Sequence, residues 1–125
     1  MEVNDLTYKI RGAIFAVYNE LGPGLLESVY ELALCHELEQ LELEVKRQVN
    51  LPVLYKTVSL DAGFRLDLIV ENQVVIEIKS VDSLHNVHKK QLLTYLKLTK
   101  MKIGFLVNFN CDKLVDKDTI IRIVN

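Results

Sequence analysis

The chain has 125 residues, 50% of them hydrophobic and 26% charged, with a formal net charge of -2 at pH 7. That length suits one compact domain with a real core, and the composition excludes a disordered or low-complexity chain. The charge balance excludes a generally basic surface, so any contact with nucleic acid must come from a local patch. In chain order, Leu6, Ile10, Ala13, Ile14, Val17 and Leu21 recur every three or four residues and predict a helix over 5–20. The Gly-Pro-Gly run at 22–24 stops it. A second helix is expected over 26–41, with one apolar stripe of Val29, Leu32, Ala33 and His36 and another of Tyr30, Leu34, Leu38 and Leu41. Two stripes predict burial over much of its surface.

Residues 43–60 alternate loosely and are rich in Val and Leu, which predicts a strand broken near Pro52. A hairpin follows over 62–71 and 74–80, then a helix over 87–99, an apolar strand over 102–110 and a last short strand over 119–125. Strands that then alternate with a helix predict an α/β fold, a mixed sheet covered by helices. The whole reads as one domain, 1–125. The opening MEVNDLTYKI carries acids where a secretory leader needs a basic region, and no apolar run reaches membrane-span length. Cys35 and Cys111 lack metal-site spacing and read as reduced thiols of a cytoplasmic protein.

The hairpin carries the functional signal. In DLIVENQVVIEIK, residues 67–79, apolar strands are interrupted by Asp67, Glu77 and Lys79. Side chains alternate faces along a strand. Leu66, Leu68 and Val70 share one face, and Val74, Ile76 and Ile78 must join them on the core side. A three-residue turn at 71–73 achieves this and pairs Val70 with Val74 and Asp67 with Glu77. A two-residue turn would instead bury Glu77 and Lys79, at a cost of several kcal/mol. Asp67 and Glu77 are therefore expected as neighbours, with Lys79 one pleat further on. Two carboxylates so close raise one another's pKa, and a divalent cation relieves the conflict. Mg²⁺ favours one or two carboxylates plus waters. The competing reading is a solvated face with weak ion pairs.

Other candidates surround this trio. Arg65 shares the face of Asp67 and Lys79 and suits a substrate phosphate or a pair with Asp67. Glu27, at a helix start, is placed to benefit from the helix dipole, and Tyr30 lies on the same side one turn on. His88, Gln91 and Tyr95 fall at i, i+3 and i+7 on one helix face, where Gln91 could bond Lys79 or a phosphate. Lys89, Lys90, Lys97, Lys100 and Lys102 give this region a basic bias suited to phosphates, or simply to solvent.

Asp67 followed by Glu77-Ile78-Lys79 resembles the PD-(D/E)XK signature of the restriction-endonuclease-like nucleases, with Leu66 in place of the signature proline. GLLESVY at 24–30, with Gly24, Glu27 and Tyr30, resembles the motif of the GxxExxY family within that superfamily. GFRLDLIV, IEIKSV, HKKQLLTYLKLT and IGFLVNFN resemble its later blocks. The resemblance implies a three-layer α/β/α fold with a central mixed sheet and an αβββαβ core. It implies a nuclease using Mg²⁺ or Mn²⁺, with Asp67, Glu77 and the Ile78 carbonyl as ligands, Glu27 joining them, and Lys79 and Gln91 aiding catalysis. Tyr30, Tyr95, Arg65 and His88 would contact substrate. The expected partner is nucleic acid, DNA before RNA, helped by a homodimer or accessory protein. A catalytically silent binding module of the same fold, or a hydrolase of small phosphoesters, are the alternatives.

Overall fold

A computed structural model describes residues 1–61 and 64–125. The first helix, α1, spans Val3–Leu21 and buries Leu6, Ile10, Ala13, Ile14 and Val17 at the predicted spacing. It stops at Gly22, whose φ of 66° suits glycine and whose N–H bonds the Tyr18 carbonyl at 2.8 Å. The second helix, α2, spans Glu27–Gln40 and buries Tyr30, Glu31, Leu34, Cys35 and Leu38. The expected stripe of Val29, Leu32, Ala33 and His36 is not buried: Val29 is 39% and Leu32 54% exposed. Helix α1 and the sheet cover one side of α2, and among the described residues nothing covers the other.

Strands β1 (Val45–Asn50), β4 (Arg65–Val70), β5 (Val74–Lys79), β6 (Ile103–Asn108) and β7 (Ile120–Val124) form one sheet in the order β1-β4-β5-β6-β7. The β5–β6 pair is parallel, joined through helix α3 (Asn86–Thr99), and the other pairs are antiparallel. A parallel pair needs such a crossover, whereas the antiparallel strands are joined by shorter connections. One core cluster joins α1 and α2 to Leu68, Val70, Val74, Ile76, Ile78 and the facing residues of β6. A second joins Leu92 and Leu96 of α3 to Ile69, Val75 and Leu106. The result is the expected three-layer α/β/α architecture with a mixed sheet, and α2-β1-β4-β5-α3-β6 is the αβββαβ core. Gly104 lets α3 lie close, since a Cβ there would sit 2.9 Å from Leu92 Cδ1.

The segment 43–60 differs from its expectation. After β1 and Pro52 the chain makes a separate two-stranded hairpin, β2 (Val53–Tyr55) with β3 (Val58–Leu60). Its turn holds Lys56 at φ 57° without Gly or Asn, so the usual sequence signal of a tight turn is missing. The main hairpin's first strand was expected from 62; Ala62 and Gly63 lie outside the described residues, and β4 begins at Arg65. Its register is as predicted, with Val70 opposite Val74, Ile69 opposite Val75 and Leu68 opposite Ile76. Glu71 and Asn72 take φ of 53° and 52° in the turn. Among the described residues, no helix is long and apolar enough to cross a membrane.

Candidate active site

The β4–β5 ladder closes at Leu68 opposite Ile76 and goes no further. Beyond that rung the strands part, and two carboxylates take over the bonding. The Asp67 N–H donates to Glu77 Oε1 at 3.1 Å, and the Ile78 N–H donates to Asp67 Oδ2 at 2.8 Å. Gln48, across on β1, adds a long contact from Nε2 to Asp67 Oδ1 at 3.4 Å. Gln48 itself has φ 50°, a strained position for a residue with a Cβ. The strict alternation read from the sequence fails here too. Leu66 packs in the α3-side cluster with Leu51, not with Leu68, because the strand turns where the ladder opens.

Glu77 is buried to 7% exposure, and Asp67 is half-buried. Burial, then the neighbouring Asp67 charge, pushes the Glu77 carboxyl up to about 8, against the pull of the Asp67 N–H and the Lys79 ammonium. Asp67 is also raised, mainly by burial, with the Ile78 N–H pulling the other way. Two neighbouring acids, both raised, are hard-oxygen donors. Mg²⁺ or Mn²⁺ suits such a pair, with water completing the shell. The N–H and C=O of one strand residue point the same way, so the Ile78 carbonyl faces the same gap and is a third oxygen. Among the described residues, no group of three or more His, Cys, Asp or Glu is gathered to hold a metal.

Glu27 illustrates the difference between neighbour and ligand. Its charge acts on Asp67, but its Oε2 accepts the Ser80 N–H at 3.0 Å. Ser80 Oγ donates to the Leu25 carbonyl at 2.8 Å. Tyr30 is fully buried, stacked on Phe109 at 4.4 Å, and its hydroxyl donates to the Gly22 carbonyl at 2.6 Å and accepts the Leu25 N–H at 3.1 Å. Glu27 and Tyr30 thus build a clasp between the 22–26 loop and the end of β5, next to Lys79. Substrate contact by Tyr30 is corrected accordingly: its ring is sealed in the core and its hydroxyl is committed to the loop.

On α3 the expected polar face splits. The Tyr95 hydroxyl is raised by burial and by the charges of Glu77 and Asp67. His88 is lowered by burial and by the nearby Lys79, while its Nδ1 accepts the His85 N–H at 3.0 Å. It therefore caps its own helix beside the site. Gln91 is exposed and makes no hydrogen bond among the described residues, so its expected bond to Lys79 is not formed; Leu92, the next residue, faces the sheet instead. Arg65 is exposed opposite Asn50 and makes no ion pair with Asp67 among the described residues. A cavity of about 720 Å³ between α1 and β7, lined by Arg11, Asp116 and Arg122, contains none of these groups.

Sequence reasoning missed Glu31 and Gln48. Glu31, 5% exposed on α2, accepts Arg47 Nη2 at 2.9 Å and Gln48 Nε2 at 2.5 Å. The Glu31–Gln48–Asp67 chain ties the site to α2. The available signal was the position of Glu31 four residues after Glu27, on the stripe that includes Leu34 and Leu38.

A mixed sheet sandwiched by helices, with an acid from one strand meeting Glu-x-Lys on the next where the two part, defines a restriction-endonuclease-like α/β/α protein. Residues 4–123 match the PD-(D/E)XK nuclease superfamily, and the chain belongs to it. No curated protein and no solved structure matches the chain.

Proposed function

We propose that this domain, residues 1–125, is a divalent-metal-dependent nuclease of the cytoplasm that hydrolyses phosphodiester bonds of DNA, with RNA as the alternative substrate. Its similarity to the GxxExxY branch of the superfamily supports the same reading. The observation that carries it is the parting of β4 and β5 at Asp67 and Glu77, with Lys79 following on β5.

Asp67 and Glu77 would hold Mg²⁺ or Mn²⁺, with the Ile78 carbonyl beside them. Bound there, the ion would supply charge relief at the phosphate and a more acidic water. Lys79 lies close enough to lower the pKa of both acids. Its ammonium can orient the attacking water or neutralise charge that builds on the phosphate oxygens. Glu27 fixes the strand end through Ser80 and so aims Lys79. Gln48, held by Glu31, keeps one Asp67 oxygen turned toward β1. Tyr95 and Arg65 are the groups best placed to meet substrate, and His88 shapes the start of α3 beside Lys79. Gln91 would reach a phosphate only in the bound state. A homodimer or accessory protein would widen the contact with a polymer.

The test is incubation of purified protein with single- and double-stranded DNA and RNA, in Mg²⁺, Mn²⁺ or EDTA. Cleavage that needs metal and disappears in Asp67→Asn and Lys79→Ala supports the proposal. Cleavage that survives in both variants rejects this site. No cleavage by any form, with nucleic acid still bound, favours the silent binding module.

A further inference from the structure

Two aromatic rings meet on the α3 side of the sheet, one of them a few residues ahead of Asp67 along the chain. Phe64 is 42% exposed, although it lies immediately before β4 and its carbonyl is fixed by the Leu51 N–H at 2.9 Å. Its ring meets Tyr95 edge-on, with centroids 6.0 Å apart and planes at 61°. Tyr95 is itself anchored in the cluster of Leu51, Leu66, Leu92 and Leu96, and its hydroxyl makes no hydrogen bond among the described residues. An edge-on pair leaves one face of the exposed ring open. Phe64 is also three residues from Asp67, roughly 10 Å along an extended strand, or about three nucleotides of stacked strand at ~3.4 Å each. The exposed cation Arg65 is next in the chain.

A rigid exposed ring, an adjacent cation and a phosphate-directed site within a few nucleotides is the arrangement that grips unpaired bases. Inside a duplex the base faces are covered by their neighbours, and only the terminal pair offers one. The chain's net charge of -2 also gives it little general attraction for a duplex backbone. We propose that Phe64, supported by Tyr95, is a stacking platform for an unpaired nucleobase, so that the substrate enters as a single strand or a frayed end. The inference rests on the nuclease reading and specifies its substrate.

The experiment is equilibrium binding of fluorescent oligonucleotides without divalent metal, so that turnover does not intrude. Single-stranded DNA, single-stranded RNA and blunt duplex DNA are compared for wild type, Phe64→Ala, Phe64→Leu and Phe64→Trp. Wild type should favour the single strands. Phe64→Ala should weaken single-strand binding about tenfold to hundredfold and leave duplex binding unchanged. Phe64→Trp should retain the affinity, and Phe64→Leu should not, since a flat ring rather than apolar bulk is required. Equal losses on single and double strands, no loss in Phe64→Ala, or full single-strand affinity of Phe64→Leu would each overturn the platform. If wild type cleaves in a metal- and Asp67-dependent way yet Phe64→Ala keeps its substrate preference, only the platform fails. If wild type neither binds nor cleaves any of them, the platform and the nuclease reading fail together.

Discussion

The two ends of the β4–β5 hairpin are built from the same pattern and do opposite things. At the turn end, Val70 faces Val74 and Leu68 faces Ile76 in a regular ladder, all fully buried. Three residues away the ladder has opened, and side-chain carboxylates receive the N–H groups of Asp67 and Ile78. The closed end is stabilised by apolar burial. The open end places like charges together in a half-dry gap. Local strain and unfavourable charge held in place by a well-packed neighbour is the signature of a functional site.

The sharpest way to break the comparison is to exchange the effects. At the open end, Asp67→Asn and Lys79→Ala should lower cleavage by about a hundredfold to a thousandfold, with circular dichroism and melting temperature close to wild type. At the closed end, Leu68→Ala should cost about 2–5 kcal/mol of stability in denaturant titrations, while cleavage per folded molecule persists. A large stability loss in Asp67→Asn would overturn the division.

The pH dependence separates the two ends next. Glu77 has its folded pKa raised from 4.5 to about 8. Between those values the folded state holds the proton more tightly than the unfolded state. The Glu77 contribution is thus present below about pH 4.5 and is lost as pH rises through about 8. Melting temperature without metal should therefore fall across that window in wild type. Glu77→Gln should flatten the profile, and Mg²⁺ should restore wild type more at pH 8.5 than at pH 5.5. A Glu77→Gln profile that falls as steeply as wild type would remove the carboxylate from the account.

A smaller effect is expected at the clasp. Tyr30→Phe removes the hydroxyl that joins Gly22 to Leu25 and should cost roughly 1–3 kcal/mol. If the clasp aims Lys79, cleavage should fall in parallel while the metal dependence keeps its midpoint. Smallest of all, Gln91→Ala on the exposed face of α3 should change stability by less than about 0.5 kcal/mol. Its effect on cleavage alone then decides whether Gln91 meets substrate.

The periodicities of α1, β5 and α3 were legible because each element buries a stripe or face that repeats in the sequence. The hairpin register was legible for the same reason: only one turn length keeps Glu77 and Lys79 out of the apolar core. That register put Asp67 opposite Glu77, and the two do meet, though through side-chain bonds, because the ladder ends at Leu68 and Ile76. The exposed stripe on α2 was misread, since Val29 and Leu32 look like core until one knows that only one side of the helix is covered. The β2–β3 hairpin was also hidden, because Lys56 supplies the positive φ where Gly or Asn would have announced it.

The amino-acid sequence by itself determined the layers, the hairpin register and the acid–acid–lysine trio, because these depend on local periodicity and on keeping charge out of an apolar face. Only the tertiary structure decided that β4 and β5 part at Asp67, that Glu31 reaches it through Gln48, and that Glu27 and Tyr30 clasp the strand end at Ser80. Those contacts join residues far apart in the chain, and a hydrogen bond between distant residues leaves no period in the sequence to read.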